Sequence, residues 1–195
     1  MAAKIYAITN QKGGVGKTTT TVNLAASLAA TKRRILMIDL DPQGNATMGS
    51  GISKNEIKYS AYDLLTKKAE FIDVVVRSDI GQYDVIPANG DLTAAEVELL
   101  NEIAREHRLK KAIDAVRDNY EYILIDCPPS LNMLTVNALS ASDGVIIPMQ
   151  CEYYALEGLA ALMNTVEQIR ESINPKLEVS GILRTMYDPR NSLTR

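Results

Sequence analysis

The hydrophobic residues of this chain fall into short continuous runs, separated by stretches in which apolar residues recur with a helical period. Apolar runs without alternation indicate strands buried on both faces, as in a parallel sheet. These runs predict strands over residues 4–10, 34–39, 83–87, 122–126, 144–149 and 179–186. The helical pattern predicts helices over residues 18–30, 62–67, 94–119, 131–141 and 155–173. Residues 48–58 carry neither pattern, and residues 71–77 fit either a helix or a connecting turn.

The order of these elements predicts the fold class. Strands that alternate with helices favour right-handed crossovers and a mostly parallel sheet. We therefore expect an α/β fold, with a doubly wound mostly parallel sheet and helices on both faces. No internal repeat, low-complexity tract or linker interrupts residues 1–195, so we expect a single domain.

A glycine-rich turn joins the first predicted strand to the first predicted helix. Residues 11–19 read Gln-Lys-Gly-Gly-Val-Gly-Lys-Thr-Thr. Glycines let backbone N–H groups approach a polyphosphate, and the following helix adds unpaired N–H groups and the positive end of its dipole. Lys17 has the reach to contact the β- and γ-phosphates, and the Thr18 hydroxyl is suited to bind Mg²⁺. The predicted nucleotide-binding residues are Lys12, Gly13, Gly14, Val15, Gly16, Lys17, Thr18 and Thr19.

Three aspartates stand at the carboxyl ends of predicted strands, where ligands of open α/β sheets bind. Asp126 follows four apolar residues and has the Walker-B position, which holds Mg²⁺, usually through water. Asp39 and Asp41 are two residues apart on an extended segment, so both could face the γ-phosphate. One could then hold the water shell of Mg²⁺ while the other orients the attacking water. The alternative interpretation is that both only cap a turn.

Composition narrows the class of protein. The hydrophobic content is 46% and the charged content 23%, which is ordinary for a soluble globular protein. The chain has no apolar run long enough to span a membrane, and it enters the first strand directly, so we expect no signal peptide and a cytoplasmic location. The net charge of −3 argues against a globally basic nucleic-acid coat but allows a local basic patch.

The remaining reactive or charged side chains have ordinary interpretations. We expect Cys127 and Cys151, which lie near strand ends, to be small buried hydrophobes and not a disulfide or metal pair. The lone His107 cannot supply a metal cluster, and we expect it to be solvated near a break in the helix over residues 94–119. The charged residues of that helix are expected to form an exposed face, solvated or binding a partner: Glu102, Arg105, Glu106, Arg108, Lys110 and Lys111.

The phosphate loop departs from the common pattern at its start. The common pattern has a glycine at position 11, where this chain has Gln11 followed by a second lysine, Lys12. Lys-Gly-Gly-x-Gly-Lys-Thr is the deviant Walker-A form of the loop, and in it the sequence resembles the ParA/Soj/MinD ATPases. Residues 10–20, 38–47, 125–130, 150–158 and 181–183 resemble the chromosome- and plasmid-partitioning branch, ParA/Soj. Residues 41–45 and 152–158 fit this branch better than MinD. The cysteine pair of the nitrogenase iron-protein relatives is not matched.

The resemblance covers essentially the whole chain and implies a P-loop NTPase with ATP and Mg²⁺ as ligands. It implies that Lys12 reaches across a dimer interface to the partner's nucleotide and that Asp41 orients the attacking water. Asp39 would contact a water ligand of Mg²⁺ or support the loop. The implied catalytic residues are Lys12, Lys17 and Asp41, and the implied metal-site residues are Thr18, Asp39 and Asp126. Arg190 matches the place of a DNA-contacting arginine, with an ordinary loop arginine as the alternative.

The family's cycle gives the functional expectation. Two protomers close around two ATP molecules, and this homodimer binds DNA without sequence preference. A ParB-type centromere-binding partner stimulates the weak ATPase and releases the dimer, so DNA is segregated on the nucleoid without a membrane. Family members continue through another strand and further helices, so we expect residues 1–195 to lack that C-terminal part. The alternatives are a MinD-like membrane-surface ATPase and a truncated nucleotide-binding regulatory module.

Overall fold

The computed structural model describes residues 2–151, 155–188 and 190, with the backbone alone for residues 155–157. In these residues a single sheet is flanked by helices. The strands are β1 (Lys4–Ile8), β2 (Ile35–Asp39), β3 (Val76–Ser78), β4 (Tyr83–Ile86), β5 (Tyr122–Asp126), β6 (Gly144–Gln150) and β7 (Glu178–Thr185). The helices are α1 (Lys17–Ala30), α2 (Asn45–Gly49), α3 (Ala61–Leu65), α4 (Phe71–Val74), α5 (Leu92–Leu99), α6 (Arg108–Asp114), α7 (Met133–Ala141) and α8 (Ala155–Ser172), with 3₁₀ turns at Arg105–His107 and Arg117–Asn119.

The strand order places the predicted site residues at the carboxyl ends of the strands in the middle of the sheet. The order is β3-β4-β2-β5-β1-β6-β7, and every neighbouring pair is parallel except β3 with β4. The predicted doubly wound, mostly parallel α/β fold is therefore confirmed. Asp126 is in register with Ile8 of β1 on one side and with Asp39 of β2 on the other. The two aspartates thus end adjacent strands at the same level, directly beside the start of the glycine-rich loop.

Helices cover both faces of the sheet. Helix α1 and Ala46 of α2 pack against one face, where the apolar side chains of β2, β4 and β5 meet Ala25. Residues from α3 and from α5 to α8 cover the other face and form the larger hydrophobic cluster. All five residues of β2 are buried, which explains why its run lacks alternation. Burial of each large aliphatic side chain stabilises the fold by roughly 1.5–3 kcal/mol, and this holds the strand ends in place.

Two short elements were not predicted. Residues 71–77 were expected to form a helix or turn, and α4 (Phe71–Val74) confirms the helix; strand β3, a three-residue edge strand paired antiparallel with β4, begins at the end of that stretch and was not expected. Helix α2 begins at Asn45, before the stretch over residues 48–58 that carried neither pattern, and ends within that stretch. Both are too short to show a period in the sequence, because three to five residues cannot display a helical or alternating pattern.

The predicted helix over residues 94–119 is divided into α5, α6 and two 3₁₀ turns, so the expected single break is wider than predicted. A buried side chain from another helix stabilises this division. Asn137 of α7 accepts a hydrogen bond from the Leu109 amide at 3.0 Å and donates to the Arg105 carbonyl at 2.9 Å. These contacts satisfy backbone groups that a continuous helix would have paired internally.

The expected environments of two residues in this region were wrong. Arg108 is only 9% exposed and pairs with Glu102, because the turn before α6 carries its side chain into the protein. His107 is partly buried, and its Nδ1 is 2.7 Å from the Ser140 hydroxyl, where a solvated side chain was expected. The docking of α7 against this turn explains both differences, and no local sequence signal reports it.

Candidate nucleotide-binding site

The glycine-rich loop lies between β1 and α1, in the centre of the sheet. Gly16 precedes the first residue of α1 and has a φ of 90°, a left-handed conformation that glycine adopts without strain. A Cβ at Gly13 or Gly14 would meet no atom within 4 Å, so the space above this part of the loop is open. The loop therefore presents backbone to a vacant surface at the amino end of a fourteen-residue helix, which suits an anion.

Two side chains that sequence reasoning missed fasten this loop to the sheet. Buried Asn10 donates through Nδ2 to the Pro148 carbonyl of β6 at 2.8 Å, and its Oδ1 accepts from the Lys12 amide at 3.0 Å. Thr185, at the end of β7, donates through Oγ1 to the Val15 carbonyl at 2.8 Å. The loop is thereby pinned at both ends by strands on the β6 side. A polar residue next to the motif was the available signal for Asn10, whereas nothing near Thr185 points to the loop.

Lys17 is folded back along the loop. Its side chain is largely buried, and its Nζ donates to the Lys12 carbonyl at 3.1 Å. Burial lowers the pKa of the Lys17 ammonium, and the negative charge of Asp126 opposes that shift. Lys12 itself lies on the exposed side of the loop. The two lysines thus stand on different sides of the same turn, one within the protomer and one at its surface.

Asp126 is fully buried and bonded to the first turn of α1. Its Oδ2 accepts from the Thr18 hydroxyl at 2.7 Å and its Oδ1 from the Thr21 hydroxyl at 3.1 Å. Burial raises the pKa of Asp126 to about 7, with the nearby charge of Asp39 acting in the same direction and the two threonine hydrogen bonds acting against it. Thr21 was missed, although it lies three residues after Thr18 and hence on the same helix face.

Asp39 is also fully buried, but its partners belong to the loop that follows β2. Its Oδ1 accepts from the Asp41 amide at 3.0 Å, and its Oδ2 accepts from both the amide and the hydroxyl of Thr47 at 2.8 Å. Burial raises the pKa of Asp39 to about 6, and the hydrogen bonds from Thr47 and Asp41 oppose the rise. Both oxygens of Asp39 are engaged in this way. Of its two expected roles, these contacts correspond to support of the loop.

Asp41 lies at the start of this loop with its side chain partly exposed. Its Oδ1 accepts from the Gln43 amide at 2.9 Å, which is a turn-capping contact. Asp39 and Asp41 were expected to face a ligand together. In the structure the Asp39 carboxylate points inward and is fully engaged, whereas Asp41 remains at the surface near Lys17 and Asp126. The charge of Asp41 is close enough to contribute to the shifts at both of those groups.

The other predicted residues vary in their surroundings. Val15 is buried, Thr18 is partly exposed and Thr19 is exposed. Arg190 is 87% exposed in its side chain and forms a two-pronged ion pair with Asp188, with Nη2 to Oδ2 at 2.7 Å. The predicted similarity over residues 150–158 includes residues 152–154, which lie outside the described residues.

The two cysteines are free thiols. Cys127 is buried as expected, and burial raises the pKa of its thiol; Cys151 is only partly buried, so the expectation of a buried side chain is wrong for it. Within the described ranges, no group of three or more histidine, cysteine, aspartate and glutamate side chains is arranged to hold a metal ion. A divalent ion beside Asp126 would therefore need other oxygen ligands. Mg²⁺ in phosphate sites has that character, because it binds one or two protein groups, phosphate oxygens and water.

Comparisons with known proteins identify relatives of this chain. A family model described as an AAA domain matches residues 3–179. The chain is 64% identical over 191 residues to an uncharacterized protein of Pseudomonas putida, covering 98% of this chain and 73% of that protein. It is 56% identical over 190 residues to the sporulation initiation inhibitor protein Soj of Bacillus subtilis, covering 97% of this chain and 75% of Soj. The chain belongs to the ParA/Soj family.

A solved structure shares the fold of this ParA/Soj-family chain. Cobyrinic acid a,c-diamide synthase from Mycobacterium smegmatis, with bound ADP and magnesium, superposes with a TM-score of 0.95 at 39% identity. The match covers 99% of this chain and 78% of that one. A second structure of the same synthase holds an ATP analog and magnesium. Among the described residues of the ParA/Soj-family chain, every helix is too short or too polar to cross a lipid bilayer.

Proposed function

We propose that this chain binds ATP with Mg²⁺ and hydrolyses the ATP to drive DNA segregation. The observation that carries the proposal is the contact between Thr18 and Asp126 beside the buried ammonium of Lys17. This arrangement joins the end of a glycine-rich loop to a strand-end carboxylate, which is the donor set that P-loop ATPases use for a metal and a polyphosphate. The solved relative that holds ADP and magnesium supports the same pair of ligands.

Each of these residues has a separate role in hydrolysis. The loop amides and Lys17 would bind the phosphates, and Thr18 and Asp126 are the residues that would hold Mg²⁺. Bound Mg²⁺ supplies positive charge that neutralises the β- and γ-phosphates. Asp41 orients the attacking water from the exposed side of the site. Hydrolysis of this kind depends on position and charge more than on a strong base.

A second protomer completes the site in this proposal. Lys12 lies on the exposed side of the loop, and the space above Gly13 and Gly14 is open. A partner's loop could therefore approach closely, so that each Lys12 contacts the nucleotide of the other protomer. Closure then depends on ATP, because the contacts across the interface include the γ-phosphate.

The cellular role rests on the relatives. Soj and the chromosome partitioning protein ParA of Caulobacter vibrioides are 56% and 52% identical to this chain, whereas the synthase is 39% identical. The higher identity favours a partitioning role: the ATP-bound dimer binds DNA without sequence preference, and a ParB-type partner stimulates hydrolysis. Arg190 is the candidate DNA contact, and its exposed guanidinium would exchange Asp188 for a phosphate. The dimer would then work in the cytoplasm, on the nucleoid.

The dimer is tested by light scattering after size-exclusion chromatography. The Asp41→Ala variant should bind ATP without hydrolysing it, so we expect a dimer with ATP and a monomer with ADP. Lys17→Ala is the matched control, and it should stay monomeric with either nucleotide because phosphate binding is lost. An Asp41→Ala protein that is monomeric in both nucleotides would contradict the ATP-dependent dimer.

The partitioning role is tested by turnover. ATP hydrolysis should be slow for the chain alone and should rise when DNA and a ParB-type protein are added together. Equal turnover with and without the two additions would argue against partner stimulation, while leaving ATP hydrolysis itself established.

A further inference from the structure

Thr47 forms several hydrogen bonds that join separate parts of the chain, and it has so far been given no role in the site. It lies in α2, six residues after Asp41, and is fully buried. Its amide and hydroxyl both donate to Oδ2 of Asp39 at 2.8 Å. Its hydroxyl also accepts from the Ala88 amide at 2.9 Å. One side chain thus joins the end of β2, the start of α2 and the segment that follows β4.

The same carboxylate fixes the other end of the loop. Oδ1 of Asp39 accepts from the Asp41 amide at 3.0 Å, so Asp39 holds residues 41 and 47 at once. The loop between them is tight, with a turn bond from the Gly44 amide to the Asp41 carbonyl at 2.8 Å. A Cβ at Gly44 would come within 2.7 Å of the Ala88 carbonyl oxygen. The loop is therefore pressed against the same residue that donates to Thr47.

We propose that Thr47 is a positioning residue for hydrolysis, which sets the place of Asp41 through Asp39 and Ala88. The inference rests on the proposed function, in which Asp41 orients the attacking water. A loop pinned only at Asp41 could rotate about that point, whereas the second anchor at Thr47 removes this freedom. The position of Asp41 matters because a displacement of about 1 Å at a reacting centre can lower a rate about a hundredfold.

The chemistry of the residue explains why threonine or serine is needed at this position. The hydroxyl must donate one hydrogen bond to a carboxylate and accept another from an amide, and a hydroxyl can do both at once. Valine has the shape of threonine but neither capacity, so it would leave the Ala88 amide and one lone pair of Asp39 without a partner. Serine keeps both bonds and loses only a methyl group.

The test compares Thr47→Val with Thr47→Ser and with a control in the same segment. Ser50 is buried at the end of α2, donates to the Ala46 carbonyl at 2.7 Å and contacts the Tyr83 hydroxyl at 2.8 Å. Ser50→Ala therefore removes a buried hydroxyl with two partners but does not touch Asp39. Steady-state ATP turnover and the dissociation constant of an ATP analog are measured for all three variants and the wild type.

We expect Thr47→Val to lower kcat about tenfold with the affinity for the analog within about threefold of wild type, because the loop is misplaced and the phosphate site is intact. Thr47→Ser and Ser50→Ala should keep kcat within about twofold. Turnover of Thr47→Val equal to wild type would overturn the inference. An equal fall of kcat in Ser50→Ala would also overturn it, because the effect would then come from general loosening of α2.

Two further outcomes separate this inference from the proposed function. If wild type and Asp41→Ala hydrolyse ATP equally, the role proposed for Asp41 fails and the present inference fails with it, although ATP hydrolysis itself stands. If the rate depends on Asp41 but is unchanged in Thr47→Val, only the present inference fails. If Thr47→Val does not fold, Thr47→Ala is used in its place. Amide hydrogen exchange in the wild type gives an independent check, since the Ala88 amide should be protected, and rapid exchange there would overturn the bridge.

Discussion

Two neighbouring strands, β2 and β5, both end in a buried aspartate, and the two carboxyls are engaged in different ways. Asp126 is bonded to hydroxyl groups of α1, which also carries the lysine of the glycine-rich loop. Asp39 is bonded mainly to backbone amides of its own following loop. The two residues are in register on adjacent strands. Their different partners, and not their position or burial, distinguish the metal-site role proposed for Asp126 from the loop-supporting contacts of Asp39.

The difference shows how one sequence pattern yields two roles. A hydroxyl that donates to a carboxylate can turn away and bind a metal ion with its oxygen, so the contact between Thr18 and Asp126 is adjustable. Backbone amides cannot turn without moving the chain, so the amide contacts that Asp39 makes with Asp41 and Thr47 are fixed. One carboxylate is therefore free to take a new partner, and the other maintains the shape of the loop.

The largest expected effect follows from Asp126→Asn. The amide has no charge to hold the hydrated ion, so the Mg²⁺ concentration that gives half-maximal turnover should rise about 10–100-fold. A Mg²⁺ titration of ATP hydrolysis measures this, with Asp79→Asn as an exposed control that should behave as wild type. An unchanged Mg²⁺ dependence would remove Asp126 from the metal site.

A smaller effect is expected from Asp39→Asn. Asparagine offers one carbonyl oxygen where Asp39 uses two oxygens, so either the Asp41 amide or the Thr47 pair loses its acceptor. Turnover should fall about tenfold through displacement of the loop, with the Mg²⁺ dependence unchanged. A shift in Mg²⁺ dependence equal to that of Asp126→Asn would show that the two aspartates share one role.

The smallest effect concerns stability against pH, measured without nucleotide and in a chelator. The folded-state pKa values of both carboxyls, about 6 for Asp39 and about 7 for Asp126, lie above their ordinary value of 3.8. The folded state therefore binds these protons more tightly than the unfolded state, and the stability they contribute is lost as pH rises through 6 and 7. Between pH 5.5 and 8 the free energy of unfolding should fall by about 3 kcal/mol.

Thermal unfolding measured across that pH range tests whether stability falls as the pH rises. Asp126→Asn should flatten the decline, because the group that titrates highest is gone, whereas the exposed Asp79→Asn should leave it as in wild type. A decline of the same size in Asp126→Asn would place the titration elsewhere. Excess Mg²⁺ with an ATP analog should also flatten the decline in wild type, because the ion favours the charged form of Asp126.

Local sequence was sufficient to predict some secondary-structure elements of this protein and insufficient to predict others. The strand over residues 122–126 was predicted with its observed bounds, because a buried parallel strand shows as an apolar run that a polar residue ends. Strand β3 was missed, because its three residues form a strand only by pairing with β4. The division of the helix over residues 94–119 was not resolved, because the Asn137 side chain that stabilises it comes from α7.

The amino-acid sequence by itself determined the fold class, the glycine-rich loop and the presence of acidic residues at the strand ends. These features depend on local patterns of burial and on conformations that only certain residues adopt. The tertiary structure decided which donors each carboxylate meets: Thr18 and Thr21 for Asp126, and the loop from Asp41 to Thr47 for Asp39. The physical reason is that a carboxylate's role depends on groups distant in the chain, which only the packing of α1 and α2 against the strand ends brings within hydrogen-bond distance.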